Sequence, residues 1–259
     1  MQKFFIPLRL VLLAVALMAG LAQANEAELV DVAGSQRMLT QRILKTYCEI
    51  GLDEIYNNPQ KQLKEAVGRF DAQIATIEAG SKDAGVEKAL SEVKRLWPPY
   101  RKLATAAPSR EGAAQLLALN PALLDATHAV VVALEQSSGT RAGEIVNLSG
   151  RQRMLSQRMA MFYMLQIWGI DDPAIAEDLK KTTEEFQAAQ KRLSALPANT
   201  PRITNDLMRV RHSLDLLQRT MGYKGHNLSF TVAMTTERML EAMNEVTAGY
   251  AAILGEGPR

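Results

Sequence analysis

The chain writes one short motif twice, AGSQRMLTQRIL at 33–44 and SGRQRMLSQRMA at 149–160. Gly34 aligns on Gly150, Arg37 on Arg153 and Arg42 on Arg158, at an offset of 116 residues. The offset holds beyond the motif, since Leu63, Lys64, Phe70 and Ile77 fall on Leu179, Lys180, Phe186 and Leu193. Self-similarity on this scale marks a duplicated structural unit, so the fold of one half is expected in the other.

The unit reads as helical. Apolar residues recur at spacings of three and four without sustained alternation. Ala, Leu, Met, Gln, Glu, Lys and Arg, all good helix formers, dominate a chain with only 5% aromatic residues. The punctuation predicts a first helix from about 27 to 50, stopping at Gly51. A second opens at Asn58-Pro59, a cap residue followed by proline in the first turn, and closes at Gly80. A third runs into Pro98-Pro99, which must end it or bend it sharply, and a fourth starts near Pro121. The pattern then restarts with a helix that stops at Gly169, and Asp172-Pro173 stands where Asn58-Pro59 stood. The expected fold is all-α: two tandem antiparallel four-helix bundles after a signal peptide, covering 25–137 and 138–259. Their joint, LEQSSGTRAGEIV, reads equally as a hinge or as one continuous helix.

Residues 1–24 stand apart. MQKFFIPLR is a basic start, LVLLAVALMAGLA an apolar run too short to span a bilayer comfortably, and Ala22-Gln23-Ala24 a small-x-small cleavage site. The expectation is a signal peptide cleaved after Ala24 and export to the periplasm, with an uncleaved N-terminal anchor as the alternative. No later segment reads as apolar enough to cross a membrane, so a soluble mature chain is expected. Removing Lys3 and Arg9 from the 30 Lys and Arg leaves 28 against 28 Asp and Glu, which gives no support to nucleic acid as a partner. Cys48 is the single cysteine, so no internal disulfide can form; mid-helix among apolar neighbours, it reads as a small buried hydrophobe.

At 3.6 residues per turn the first motif helix shows two stripes. Leu29, Val32, Leu39, Ile43 and Ile50 form a core face, with Gln36 and Tyr47 at its edge. The opposite side collects Val30, Ala33, Arg37, Gln41, Leu44 and Cys48, and the second copy supplies Val146, Ser149, Arg153, Gln157, Ala160 and Met164. An Arg-Gln pair among small and apolar residues suits a contact between helices outside the bundle's own core. If two copies meet there, two guanidinium groups face each other and repel, and an oxyanion between them relieves the repulsion. The other role open to Arg37 and Arg153 is an ion pair that fixes packing register. Arg42 and Arg158, nearer the flank, read as solvated salt-bridge partners, and Met38 and Met154 as packing.

These residues carry a resemblance. AGSQRMLTQRI and NLSGRQRMLSQRMA resemble the signature helix of the NarX-like or PilJ N-terminal domain family, periplasmic sensory four-helix bundles of nitrate/nitrite sensor kinases and of the type IV pilus chemoreceptor. In the nitrate sensors the Arg three residues after the motif Gly binds the anion at a dimer interface. The resemblance therefore implies ligand-binding roles for Arg37 and Arg153, with backbone support at Gly34 and Gly150 and with Gln41 and Gln157 on the same stripe. It implies a small anion such as nitrate or nitrite, bound within an internal pseudo-dimer or a homodimer. The PilJ-type wording of the second copy leaves the ligand open. Family members are followed by a transmembrane helix and a kinase or methyl-accepting module; ILGEGPR is followed by neither, so binding is expected to be reported through a partner, a membrane receptor or sensor kinase.

Other chemistry finds little footing. His128, His212 and His226 are scattered, no E-x-x-H pair or C-x-x-C-H occurs, and no nucleophile-elbow, zinc-protease, P-loop or dinucleotide fingerprint is present. The Asp and Glu residues read mostly as solvated pairs with Lys or Arg on polar helix faces. No enzyme activity, metal or cofactor is expected. The competing expectation to a ligand-binding sensor is a structural or adaptor protein whose Arg stripe docks to a membrane chemoreceptor or sensor kinase.

Overall fold

The computed structural model describes residues 8–138, 142–223 and 228–255, and these form eight α-helices. The first half contains α1 (Leu8–Gly51), α2 (Pro59–Gly80), α3 (Ala84–Ala104) and α4 (Arg110–Ser138). The second contains α5 (Ala142–Ile167), α6 (Ala174–Ser194), α7 (Pro201–Gly222) and α8 (Ser229–Gly255). The all-α reading is correct. The choice between hinge and continuous helix at the joint falls on 139–141, outside the described residues.

Local chemistry sets the helix starts. Asn58, in the left-handed region at φ 52°, accepts from the Lys61 amide at 3.0 Å, and Pro59 follows where no amide proton is needed. Asp83 caps α3 through the Gly85 and Val86 amides, and Thr200 caps α7 through Ile203. The structure decides one proline reading and corrects another, leaving a bend as the surviving alternative at Pro98-Pro99 and moving the start of α4. Pro98 and Pro99 do not end α3, which continues to Ala104, and α4 begins at Arg110, with Pro121 inside it. All three prolines are exposed, so their rings face solvent rather than a neighbouring helix.

Within each half the first helix packs between the second and fourth, and the third lies chiefly on the fourth. The stacked rings of Phe70 and Trp97, 4.0 Å apart, tie α2 to α3, while the Tyr100 hydroxyl donates to the Thr40 carbonyl and ties α3 to α1. The halves meet along α1 and α5. Gly34 lies beside Arg153, Tyr47 beside Trp168, and Gly51 under the Trp168 indole, so the two helices run parallel and nearly in register with the 116-residue offset.

This position makes α1 a central helix. From Leu29 to Glu49 every side chain is buried except those of Asp31, Val32 and Arg42, which are half-buried. The buried set includes Ser35, Gln36, Arg37, Thr40, Gln41, Lys45, Thr46 and Glu49, each of which loses water and gains only what neighbouring helices offer. Of the second stripe read from the sequence, Arg37 reaches the other half while Gln41 bonds to Asn120 of α4, and the seam also takes Asp31, Gly34, Arg42 and Lys45 from outside that stripe.

Among the described residues one helix, α4, is long and apolar enough to cross a membrane, with a mean hydropathy of 1.6. This corrects the expectation that no such segment follows the leader. Its apolar character has two sources: a core stripe of Ala113, Leu116, Leu123, Val130 and Val131, and an outward row of Ala114, Ala118, Ala122 and Ala129 where charged residues usually sit. In the structure α4 packs lengthwise on α1 and α3.

Candidate functional site

The seam brings Arg37 and Arg153 to the same place. A Cβ built on Gly34 would lie 3.5 Å from Arg37 Nη2 and 3.8 Å from Arg153 Nη2, so both guanidinium ends sit over the bare backbone of that glycine. Gly150 lies under Arg153 Nη2 in the same way, at 3.1 Å. Both arginines are buried, and the Nε of each has no hydrogen-bond partner. Two cations, each with an unpartnered Nε and ending over the backbone of a glycine, have the chemistry that an oxyanion satisfies.

Their remaining donors follow a pseudo-two-fold pattern. Arg37 Nη2 donates to Asn147 Oδ1 across the seam at 2.6 Å, and Arg153 Nη2 donates to Asp31 Oδ1 at 2.5 Å. Asp31 and Asn147 occupy the same place in the two copies, three residues before the motif glycine. Arg37 Nη1 also faces His128 Nδ1 of α4 at 3.3 Å, where a neutral imidazole can accept. Burial, with Arg37 and Arg151 nearby, pushes the His128 imidazole down and favours that neutral form. Burial is also the main force pushing Arg37 down to about 10; Arg151 and Arg153 add to it, while Glu135 opposes it. The register-fixing ion pair weighed as an alternative role is therefore present for Arg153, on Asp31, while Arg37 hydrogen-bonds the neutral Asn147 and His128 and feels the Glu135 carboxylate as well.

Gln41 and Gln157 lie one turn further along and are otherwise engaged. Gln41 Nε2 donates to Thr40 Oγ1 and to Asn120 Oδ1 of α4, both at 2.8 Å. Gln157 Oε1 accepts from Lys45 Nζ at 3.2 Å and from Arg42 Nη1 at 3.4 Å. The structure thus groups Arg37, Arg153, Gly34 and Gly150 and gives the glutamines other partners.

Arg42 departs from its sequence reading. It makes a two-pronged ion pair with Glu237 of α8, Nη1 to Oε1 and Nη2 to Oε2, both 2.8 Å, and its side chain is only 14% exposed. Lys45 joins it on Glu237 Oε1 at 2.6 Å, and Glu49 lies 3.5 Å from Lys45 Nζ. Burial raises the Glu49 carboxyl to about 7, with Lys45 pulling the other way. Burial also pushes Glu237 up, but the charges and hydrogen bonds of Lys45 and Arg42 outweigh it and hold it at about 2. Arg158, the counterpart of Arg42, instead lies over the Phe162 ring at 5.3 Å. Sequence reasoning missed Lys45, Glu49 and Glu237 because the repeat does not carry them: they fall on Met161, Leu165 and Pro121. Asp31, Asn147 and His128 were missed as well, although the exchange of Asp for Asn at a repeated position was a visible signal. Among the described residues no group of three or more His, Cys, Asp or Glu converges as a metal site would.

Comparison with known proteins places the chain. The family model for the N-terminal domain of type IV pili methyl-accepting chemotaxis transducers, PilJ, matches residues 21–121 and again 134–248. Neither the curated proteins nor the solved structures gave a match. With most of its length covered by two successive matches, the chain belongs to the PilJ N-terminal domain family and carries that sensory domain twice.

Proposed function

We propose that the chain is a periplasmic sensory protein that binds a small oxyanion, nitrate or nitrite, between Arg37 and Arg153 and passes the event to a membrane chemoreceptor or sensor kinase. The observation that carries this reading is the convergence of two buried guanidinium groups over Gly34, each with an unpartnered Nε. Burying such donors without acceptors costs free energy, and a bound anion would recover it. In nitrate sensors of this kind the equivalent arginines meet between two subunits; here both come from one chain, so the site needs no second copy. A leader at 1–24 cleaved after Ala24, as expected from the sequence, would fit export to the compartment where PilJ domains typically work.

Calorimetric titration with nitrate and nitrite tests the reading. The wild-type chain gives a saturable heat with at least one anion, and Arg37→Ala with Arg153→Ala abolishes it. No heat from the wild-type chain sinks the proposal. A second reading, a docking adaptor with no ligand, draws on the Arg153–Asp31 pair, in which one motif arginine already serves packing. It is favoured if the double variant loses association with a membrane receptor while no anion binds to either form.

A further inference from the structure

The two halves of the candidate site are related by the repeat but differ in charge, and one difference lies in the residue that each motif arginine reaches across the seam. At the position three residues before the motif glycine, the second copy has the neutral Asn147 and the first has Asp31. Each receives a hydrogen bond from the arginine of the opposite copy, at 2.6 Å and 2.5 Å. Across the seam Arg153 therefore meets a carboxylate where Arg37 meets a carboxamide, while the Glu135 carboxylate of α4 also acts on Arg37. These four residues carry one net positive charge, where a symmetric site with two asparagines would carry two.

We infer that Asp31 is an internal counter-anion: it occupies Arg153 in place of ligand, sets the affinity of the seam for anions, and restricts it to singly charged ones. The inference rests on the anion-binding reading above. Three observations support it. The Asp31 side chain is 46% exposed while that of Arg153 is 9% exposed, so the carboxylate can turn to water when a ligand takes its place. The contact uses Arg153 Nη2 alone and leaves Nε unpartnered, so the guanidinium edge is not saturated. Gly34 holds the space beneath both Nη2 atoms open. An anion entering there competes with the Asp31 carboxylate for the same cation, and a dianion meets stronger repulsion from it than a monoanion does.

Replacing the carboxylate by its near-isosteric amide tests this in the full chain. Asp31→Asn copies the residue at 147 and keeps a hydrogen-bond acceptor for Arg153. Nitrate and sulfate serve as the singly and doubly charged probes in calorimetry. Asp31→Asn is expected to tighten nitrate about tenfold, an order set by removing one competing charge pair, and to bring sulfate into measurable binding. Asn147→Asp, which adds a second internal carboxylate, is expected to weaken nitrate by a similar factor, and its opposite sign guards against a trivial folding defect in either variant. If both variants bind nitrate within twofold of the wild type while Arg37→Ala with Arg153→Ala loses it, the role of Asp31 is overturned and the anion site stands. If no form binds either probe, both fall.

Discussion

Lys45 of α1 and Glu237 of α8 form an ion pair at 2.6 Å that ties the first half to the second, with both side chains out of water. Arg42 and Glu49 complete a four-charge cluster with no counterpart on the other side of the pseudo-two-fold, where Met161, Leu165 and Pro121 stand. Breaking a buried pair from one side leaves uncompensated charge, whereas removing opposite charges together does not. Glu237→Gln strands Arg42 and Lys45 and is expected to cost about 3–5 kcal/mol in urea unfolding. The paired change Lys45→Met with Glu49→Leu, which imports the second copy's residues and keeps Arg42 on Glu237, is expected to stay within about 1 kcal/mol of the wild type. Equal losses in the two variants would show that the cluster is not acting through charge balance.

The same cluster predicts how stability depends on pH. Glu49 is raised from 4.5 to about 7 on folding, so between these values the unfolded chain releases a proton that the native state keeps. Stability from this group is greatest below pH 4.5 and falls as pH rises through about 7. Glu237 acts in the opposite sense: held down at about 2, it adds stability above pH 4.5 that is lost as pH falls toward 2. Glu49→Gln should remove the decline between pH 4.5 and 7 while leaving the acid limb intact. Parallel curves for wild type and variant across that window, from denaturant unfolding at each pH, would contradict the buried-proton account.

Two glycines of α1 should respond oppositely to alanine. A Cβ at Gly34 meets the guanidinium ends at ordinary contact distance, and alanine gains about 1 kcal/mol of helix propensity over glycine. Gly34→Ala is therefore expected to hold or raise the melting temperature while weakening nitrate, because the methyl fills the space between the cations. A Cβ at Gly51 would lie 2.1 Å from Trp168 Cζ2, in a packed seam where the indole is buried. Gly51→Ala should cost about 1–3 kcal/mol through overpacking and leave anion affinity per folded molecule unchanged. Thermal melts paired with calorimetry separate the two effects.

The repeat made much of this architecture legible. A motif helix with two apolar stripes demands two packing partners, and the structure supplies the bundle core on one side and the duplicate helix on the other. Pro98, Pro99 and Pro121 did not mark helix ends because packing of α3 and α4 along their length outweighs the lost hydrogen bond and ring clash of each proline, and that packing is invisible in a local window. Arg42 looked solvated because a flank position is exposed in a lone bundle; pairing the halves brought Glu237 to it from 195 residues away. Lys45 and Glu49 were passed over for the same reason. Tertiary proximity, absent from any one helix, decided each of these cases.

The final prediction concerns the stability contribution of Arg37. Arg37 is 2% exposed, its Nε is unpartnered, and its hydrogen bonds go to the neutral Asn147 and His128, with the Glu135 carboxylate offsetting only part of the effect of burial. A cation placed this way for packing alone would be a poor choice, since desolvating it costs more than two hydrogen bonds to neutral groups return. Replacing it with methionine removes the charge and keeps most of the volume. In anion-free buffer Arg37→Met is expected to be as stable as the wild type or up to about 1 kcal/mol more so, the signature of a residue retained for binding at some cost in stability. Adding nitrate at 100 times its dissociation constant should then raise wild-type stability by about 2.7 kcal/mol through linkage and leave Arg37→Met unmoved. A loss of about 3 kcal/mol or more in anion-free buffer would instead make Arg37 a structural residue and remove the chief support for an anion site at this seam.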